Sequence, residues 1–368
     1  MLEIPTPCHI IDIDALKKNL ERVSSFKQMA QCEVYLAVKG FSAPYFFDIM
    51  KPFLDGISAS GLYEAKLGRA HFGKSVQTYS PAFKKGQIKE VLSYSDTIVF
   101  NSLLQFKKYS CIAKSMNCSC GIRINPLFSQ IQKEDANPCR QYSHLGIPIS
   151  SFPSQIMNEI DGIHMHAMCE QGAESLELLV DYLIKTFGND LGKLKWINLG
   201  GGQMIGNESY DMERAAKCIR NLAQTYGVRV ILEPCEGVLS KCGYFATQVL
   251  DIFENDGQIA VLDASPICHM QDAVFRGWTR EILGEAENGF TYLLCGQTCF
   301  AGDTFGWYTF EKPLQIGEIL FFKDTATYTW VKNNAFNGIP FPTICSYDSK
   351  SGIRIVKDYG YNEFYSIL

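Results

Sequence analysis

Apolar residues along this chain gather in short runs rich in Val, Ile, Leu and aromatics. The runs are VYLAVK (34–39), GISAS (56–60), VQTYS (76–80), DTIVF (96–100), CGIRIN (120–125), GIHMH (162–166), WINLGG (196–201) and VRVILE (228–233). Each is bounded by turn formers or charged residues and reads as a buried strand. Between them, Tyr63–Phe72, Lys85–Ser93, Leu103–Met116, Ala173–Phe187 and Tyr210–Tyr226 place apolar residues at helical spacing. Eight strands alternating with helices predict an α/β fold, a (β/α)8 TIM-like barrel over residues 14–238. Residues 126–158, with NPLFSQIQKEDANPCRQYSHLG, are too long and too rich in turn formers for an ordinary connection. They predict a functional excursion over the barrel mouth.

After about Glu236 the rhythm changes. YFATQVLDIF, QIAVLDAS, FTYLLCGQ and EILFFKDTATYTWV are strand-like with no long helix between them, and ENDGQ and EAENGF are turn signals. Residues 239–368, joined by 1–13, are therefore expected to form a C-terminal antiparallel β-sandwich or β-barrel domain.

Composition narrows the classes. At 368 residues, 46% hydrophobic and 20% charged, the chain has room for two globular domains. Its formal net charge is -5 and no Lys/Arg-rich run occurs, which argues against nucleic acid as a partner. The N-terminal stretch MLEIPTPCHIIDID has neither the charged nor the apolar region of a signal peptide. No apolar run approaches the roughly 18 residues of a membrane span. A cytoplasmic protein is expected, and its 14 cysteines then read as reduced thiols. Cys118 and Cys120 form a C-x-C near Cys111, but paired C-x2-C sets and matching histidines are missing, so no metal site is expected.

A barrel of this kind carries its active site at the C-terminal ends of its strands. Those ends deliver Lys39, Ser58 and Ser60, Asn125, His164 and His166, Gly200-Gly201-Gly202, and Glu233. Each residue has a plainer reading. Lys39 suits a surfacing strand end, the glycines suit a tight turn, and Glu233 before Pro234 suits a loop acid. The HxH pair suits a metal, although Asn and Gly stand where further ligands would be needed. Taken together, a lysine, a flat ring, a glycine-rich backbone and a carboxylate match what pyridoxal 5'-phosphate (PLP) requires.

The chain resembles the fold type III, alanine-racemase-like PLP-dependent decarboxylases, within them the enzymes that act on carboxylated polyamines. The matching stretches are TYSPAF, NPLFS, NPC, GIHMHAMCEQ, NLGGG, CHMQD, GQTCFAGD and DTATYTWVKNNAFNG. They span nearly the whole chain. The resemblance implies that Lys39 holds PLP covalently and that His166 lies against its ring. Gly200, Gly201 and Gly202 cradle the phosphate, with Ser60 and Tyr328 also binding the cofactor, and Glu233 pairs with the pyridine nitrogen. Cys299 supplies the proton that replaces the lost carboxylate. Asp303, Glu170, Asp272 and His144 are the expected substrate contacts. A homodimer with shared active sites is implied, because in this family the cysteine and aspartate come from the neighbouring subunit.

Three departures bear on the substrate, one being AVFRGW after CHMQD, which differs from the family pattern. EPCE places Cys235 where the family has glycine, and SHLG places His144 where it has arginine. Arginine can hold a carboxylate bidentately and histidine cannot. Decarboxylation of another diamino acid (diaminopimelate, ornithine or lysine) therefore stands as the alternative, with a non-catalytic regulatory homologue behind it.

Overall fold

The computed structural model describes residues 4–277 and 279–368. The first three residues of the expected β domain and Trp278 lie outside them. Two compact units are present: one is Lys18–Val238, the other joins the N-terminal residues through Lys17 to Leu239–Leu368.

The chain enters on β1 (Cys8–Asp12) and passes into a helix, Ile13–Ala30, that periodicity did not single out. Its signals were present: Asp12 accepts from the Ala15 N–H as an N-cap, and Leu16, Leu20, Val23, Phe26 and Ala30 form one fully buried stripe. The barrel unit follows with β2 (Glu33–Ala37), β3 (Gly56–Ala59), β4 (Ser75–Tyr79), β5 (Thr97–Phe100) and β6 (Ser119–Asn125). After the two-residue β7 (Ile147–Pro148) come β8 (Gly162–His164), β9 (Trp196–Asn198) and β10 (Arg229–Leu232). β2 pairs with both β3 and β10, and β5 pairs with β6, so eight parallel strands close on themselves. The eight expected strands are these eight, mostly shorter at their C-terminal ends. Strands buried on both faces read as continuous apolar runs, which is why they were visible.

Trp196 fills the barrel interior beside Tyr35, Val99 and Ile231. A side chain at Gly121 or Gly162 would strike its indole at 2.3 or 2.1 Å, so two neighbouring strands carry glycine opposite one large ring. Above this plug the inward positions turn polar. Ser58 pairs in register with Gln77, and Arg123, His164 and Asn198 are successive register partners across β6, β8 and β9. The excursion at 126–158 contributes β7 alongside β6 and three short 3-10 turns.

The second unit contains β11 (Gly243–Glu254), β12 (Gln258–Leu262), β13 (Glu285–Cys295), β14 (Thr304–Phe310), β15 (Ile319–Lys323), β16 (Thr343–Asp348) and β17 (Gly352–Lys357). Its order is β14-β13-β12-β11-β1-β16-β17, with β15 also on β11. Five of the seven pairings are antiparallel; β1–β16 and β12–β13 are parallel. β11 shifts register between Val249 and Asp251, which lets one long strand serve two sheet segments. The last expected strand, EILFFKDTATYTWV, is a strand only over Ile319–Lys323; the rest is turn and 3-10 helix.

This unit buries two histidines. His9 lies 4.9 Å from the Phe245 ring and His269 5.8 Å from it on the same phenyl. Desolvation, then the proximity of His269, lowers His9 from 6.5 to about 3; desolvation lowers His269 to about 4. Both are neutral when folded. Below pH 6.5 the unfolded chain binds protons that the folded chain refuses, so stability is full above that pH and falls as the pH drops toward 4. With both sites contributing, the slope is about 2.7 kcal/mol per pH unit at its steepest. Urea midpoints at pH 7, 5.5 and 4.5 measure it, and His9→Phe should remove roughly half of the slope. An unchanged slope in that variant would exclude His9 as a cause.

Candidate active site

Lys39 stands in the turn that follows β2 and its residue is exposed. The turn is closed by Gly40 N–H to Ala37 O and Phe41 N–H to Val38 O. Val38, just before it, is fully buried, so the chain surfaces within one residue. The ammonium nonetheless acts on the barrel mouth: its charge opposes protonation of His164 and His166 and favours the ionised forms of Glu233 and Glu64.

Glu233 follows β10 and is buried. Its Oε1 accepts from Gln77 Nε2 at 2.7 Å and Asn198 Nδ2 at 2.6 Å. Burial pushes its proton affinity up, while hydrogen bonds from Asn198 and Ser58 and the charges of Lys39 and Arg123 pull it back. His164 Nε2 is 3.7 Å from Glu233 Oε2, and neither ring nitrogen of His164 has a hydrogen-bond partner. Desolvation and the Arg123 charge hold His164 well below its usual range, so it is neutral. Arg123 is itself buried and stacks over Tyr79 at 4.6 Å.

His166 lies beyond the end of β8. Its Nδ1 accepts from the Gly201 N–H at 3.1 Å, which fixes the neutral tautomer with the proton on Nε2. Gly200 donates to Asn198 Oδ1 at 2.8 Å, and Gly200 O accepts from Glu233 N–H at 2.8 Å. The glycines are demanded by space: a Cβ at Gly200, Gly201 or Gly202 would sit 2.6 Å from His166, 2.4 Å from Glu233 O or 2.4 Å from the Met168 carbonyl carbon. Gly200 and Gly202 also have positive φ, 68° and 102°. Two of the three N–H groups are thus committed inside the protein, and only the Gly202 N–H lacks a partner among the described residues. The helix expected over Tyr210–Tyr226 begins at Met212 and is capped by Asp211, so the glycines lie in the loop ahead of it.

Ser60 is exposed, and its N–H donates to Glu64 Oε2 at 2.6 Å. Glu170 is exposed at φ 51°. His144 is exposed, and its carbonyl accepts from Asn101 Nδ2 at 2.9 Å. Asn101 Oδ1 takes the Gly146 N–H and the Tyr79 hydroxyl, which fastens the 126–158 excursion to the barrel. Cys235 is buried with its thiol pushed up by desolvation.

In the other unit, Cys299 is exposed and its N–H donates to Asn337 Oδ1 at 2.8 Å. Asp303, expected to contact the substrate, is engaged within its own loop. It is buried, its Oδ1 accepts from Ser265 Oγ at 2.7 Å, and its Oδ2 accepts from Thr298 Oγ1 at 2.6 Å and Thr298 N at 3.1 Å. It holds the 296–303 loop from inside. Asp272 is likewise engaged: Lys332 Nζ pairs with its Oδ1 at 2.6 Å, and the same ammonium lies 5.2 Å over the Tyr328 ring. Tyr328 sits at φ 57°, an uncommon backbone for an aromatic residue.

The barrel-unit groups fit PLP on the structure's own terms: glycine backbone where side chains cannot stand, a flat neutral imidazole tied to that backbone, and a buried carboxylate. Gln77, Asn198 and Arg123 complete this set and were not singled out from the sequence. Arg123 had a signal, a charged side chain between two isoleucines of one strand, and Asn198 stood at a strand end before the glycines. Among the described residues no group of three His, Cys, Asp or Glu side chains could hold a metal, and no helix is long and apolar enough to cross a membrane.

Comparison with known proteins shows the family. The family model described as pyridoxal-dependent decarboxylase, C-terminal sheet domain, matches residues 23–326. A carboxynorspermidine/carboxyspermidine decarboxylase of Campylobacter jejuni is 40% identical, covering 98% of this chain and 98% of that protein. A carboxyaminopropylagmatine decarboxylase of Synechocystis is 33% identical, covering 98% and 95%. The crystal structure of Campylobacter jejuni carboxynorspermidine decarboxylase complexed with norspermidine is 37% identical, covers 99% of this chain and 100% of that one, and superposes with a TM-score of 0.91. With the family model matched over most of its length, the chain belongs to the pyridoxal-dependent decarboxylases and is a PLP-dependent carboxy-lyase.

Proposed function

We propose that this enzyme decarboxylates carboxynorspermidine or carboxyspermidine to norspermidine or spermidine in polyamine biosynthesis, in the cytoplasm and as a homodimer with shared active sites. The end-to-end similarity to the Campylobacter jejuni decarboxylase carries the reading.

When bound, PLP supplies an electron sink for the carbon that loses CO2. The barrel unit, residues 14–238 in this reading, binds and orients it. Lys39 Nζ would hold it covalently, His166 would face its ring, and Ser60, Gly200, Gly201 and Gly202 would hold the phosphate, with the Gly202 N–H as donor and the Tyr328 hydroxyl as a further contact. Glu233 holds a proton at the pyridine nitrogen, since a carboxylate beside that atom favours its charged form. Cys299 Sγ delivers the proton that takes the place of the carboxylate; a thiol suits this because it can titrate near neutrality when its surroundings tune it. Asp303 acts one step back, holding the loop that presents Cys299. Glu170 and His144, both exposed, remain to meet the substrate's ammonium groups or carboxylate.

A second reading has its own observation. The Synechocystis relative, named for a carboxylated agmatine derivative, is similar over the same length, and His144 stands where an arginine was expected. One panel decides, with released CO2 as the signal: carboxynorspermidine, carboxyspermidine, carboxyaminopropylagmatine, diaminopimelate, lysine and ornithine. A carboxylated triamine should exceed diaminopimelate and the two monocarboxylic amino acids in kcat/KM by about tenfold or more, because unmatched polar groups in a site are costly. If carboxyaminopropylagmatine leads, the second reading holds. If diaminopimelate, lysine or ornithine leads, the polyamine assignment fails and the decarboxylase remains.

A further inference from the structure

The two oxygens of Glu233 are treated differently. Both amide donors, Gln77 Nε2 at 2.7 Å and Asn198 Nδ2 at 2.6 Å, converge on Oε1. Neither reaches Oε2, whose ring neighbour His164 Nε2 is 3.7 Å away, beyond hydrogen-bond range; the Ser58 side chain is a further hydrogen-bond donor to this carboxylate, and Lys39 and Arg123 act on it by charge alone. The amides come from β4 and β9 and the carboxylate follows β10, so the clamp spans the barrel interior. Both amide residues are fully buried. The orientation of Asn198 is locked, because its Oδ1 accepts the Gly200 N–H at 2.8 Å and its Nδ2 is thereby turned to Glu233. Gln77 is oriented with its donor to the carboxylate even though its own Oε1 then has no partner. A buried acceptor left unmade is costly, so the donor's role outweighs it.

We propose that Gln77 and Asn198 are positioning residues that keep Glu233 ionised and turn its Oε2 to the pyridine nitrogen of PLP. The proposal rests on the reading that Glu233 pairs with that nitrogen. Two neutral amides are suited to the task. They donate to the ionised carboxylate, they cannot take its proton, and they bring no charge of their own. Without them a desolvated carboxylate takes up a proton and no longer holds one on the ring. His164 does not replace them, since burial and the charges of Arg123 and Lys39 keep it neutral.

Two near-isosteric variants of the full-length holoprotein test this, Gln77→Met and Asn198→Asp. The first removes a donor; the second removes a donor and sets a like charge beside Glu233. The readouts are the pH dependence of the visible absorption of bound PLP, the affinity of the apoprotein for PLP by fluorescence titration, and kcat and KM separately. Both variants should still be labelled at Lys39 by borohydride, yet the pH midpoint of the absorption change should move. The kcat should fall by about ten- to a hundredfold, the worth of one hydrogen bond to a charged group. KM should stay within about threefold. In a Glu233→Gln background neither substitution should lower kcat further. Unchanged absorption and kcat in both variants, or losses fully additive with Glu233→Gln, overturn the proposal. If Glu233→Gln alone turns over normally, the underlying reading of Glu233 is what fails. If Glu233→Gln is crippled while Gln77→Met and Asn198→Asp are not, only the present inference does.

Discussion

Lys39→Ala protein reduced with borohydride in the presence of PLP should carry no cofactor label, while the wild-type chain is labelled at Lys39. Turnover should fall by about 10³-fold or more, since the variant loses the group that binds and releases the substrate amine. The expectation does not rest on the resemblance alone. Lys39 stands directly beyond the first barrel strand, and its charge is felt by His164, His166, Glu233 and Glu64, the groups that line the mouth. Other lysines are engaged elsewhere: Lys27 pairs with Asp55 at 2.7 Å and Lys332 with Asp272 at 2.6 Å. Because Lys39 is exposed, alanine there disturbs no packing, and a surface change of this kind shifts stability by no more than about 0.5 kcal/mol. A loss of labelling in a protein of normal melting temperature is therefore chemical. Peptide mapping gives the decisive alternative: a label on any other lysine refutes the assignment.

The barrel was legible because its physics is local and repeated. Strands covered on both faces must be apolar throughout, and eight such runs at regular intervals leave few other folds. The strand ends were legible for the same reason, since polar residues that abruptly close an apolar run mark the mouth. The second layer of the site was not. Arg123 lies between two isoleucines inside β6, Gln77 shares β4 with other polar residues and Asn198 ends β9 just before the glycines, and only the register shows that Arg123, His164 and Asn198 sit side by side. The glycine triplet was visible in the sequence, but not its surroundings: two of its N–H groups go to Asn198 and His166, and no side chain fits at any of the three positions.

Carboxylates were the least legible residues. The resemblance ties Asp303 to the substrate, and Asp272 was a further acidic candidate; a sequence does not tell a carboxylate that faces a ligand from one that faces its own loop. Asp303 is taken up by Ser265 and Thr298, and a Cβ at Gly296 would lie 2.2 Å from its Oδ2, so the GQTCFAGD stretch is a folded unit closed around that side chain. Asp272 is neutralised by Lys332, which in turn sits over Tyr328.

That loop bears on the second large effect. Lys39 belongs to the unit Lys18–Val238 and Cys299 to the other, and the resemblance places them on different subunits of one site. Lys39→Ala and Cys299→Ala should each be inactive alone, and mixing them should restore activity. With random exchange, half of the dimers carry one variant of each kind. In such a dimer one site receives both defects and the other receives none, so recovery should approach about a quarter of the wild-type rate. Both residues are exposed, so neither substitution should impair folding or the exchange itself. Differently tagged chains measure how much mixed dimer forms, and activity is then read per mixed dimer. Chains that exchange fully without recovering activity would show that each subunit builds its site from its own Lys39 and Cys299. Recovery in proportion to the mixed dimer means that a single subunit holds no complete site, and dilution below the dimer dissociation constant should then abolish decarboxylation while the subunits remain folded.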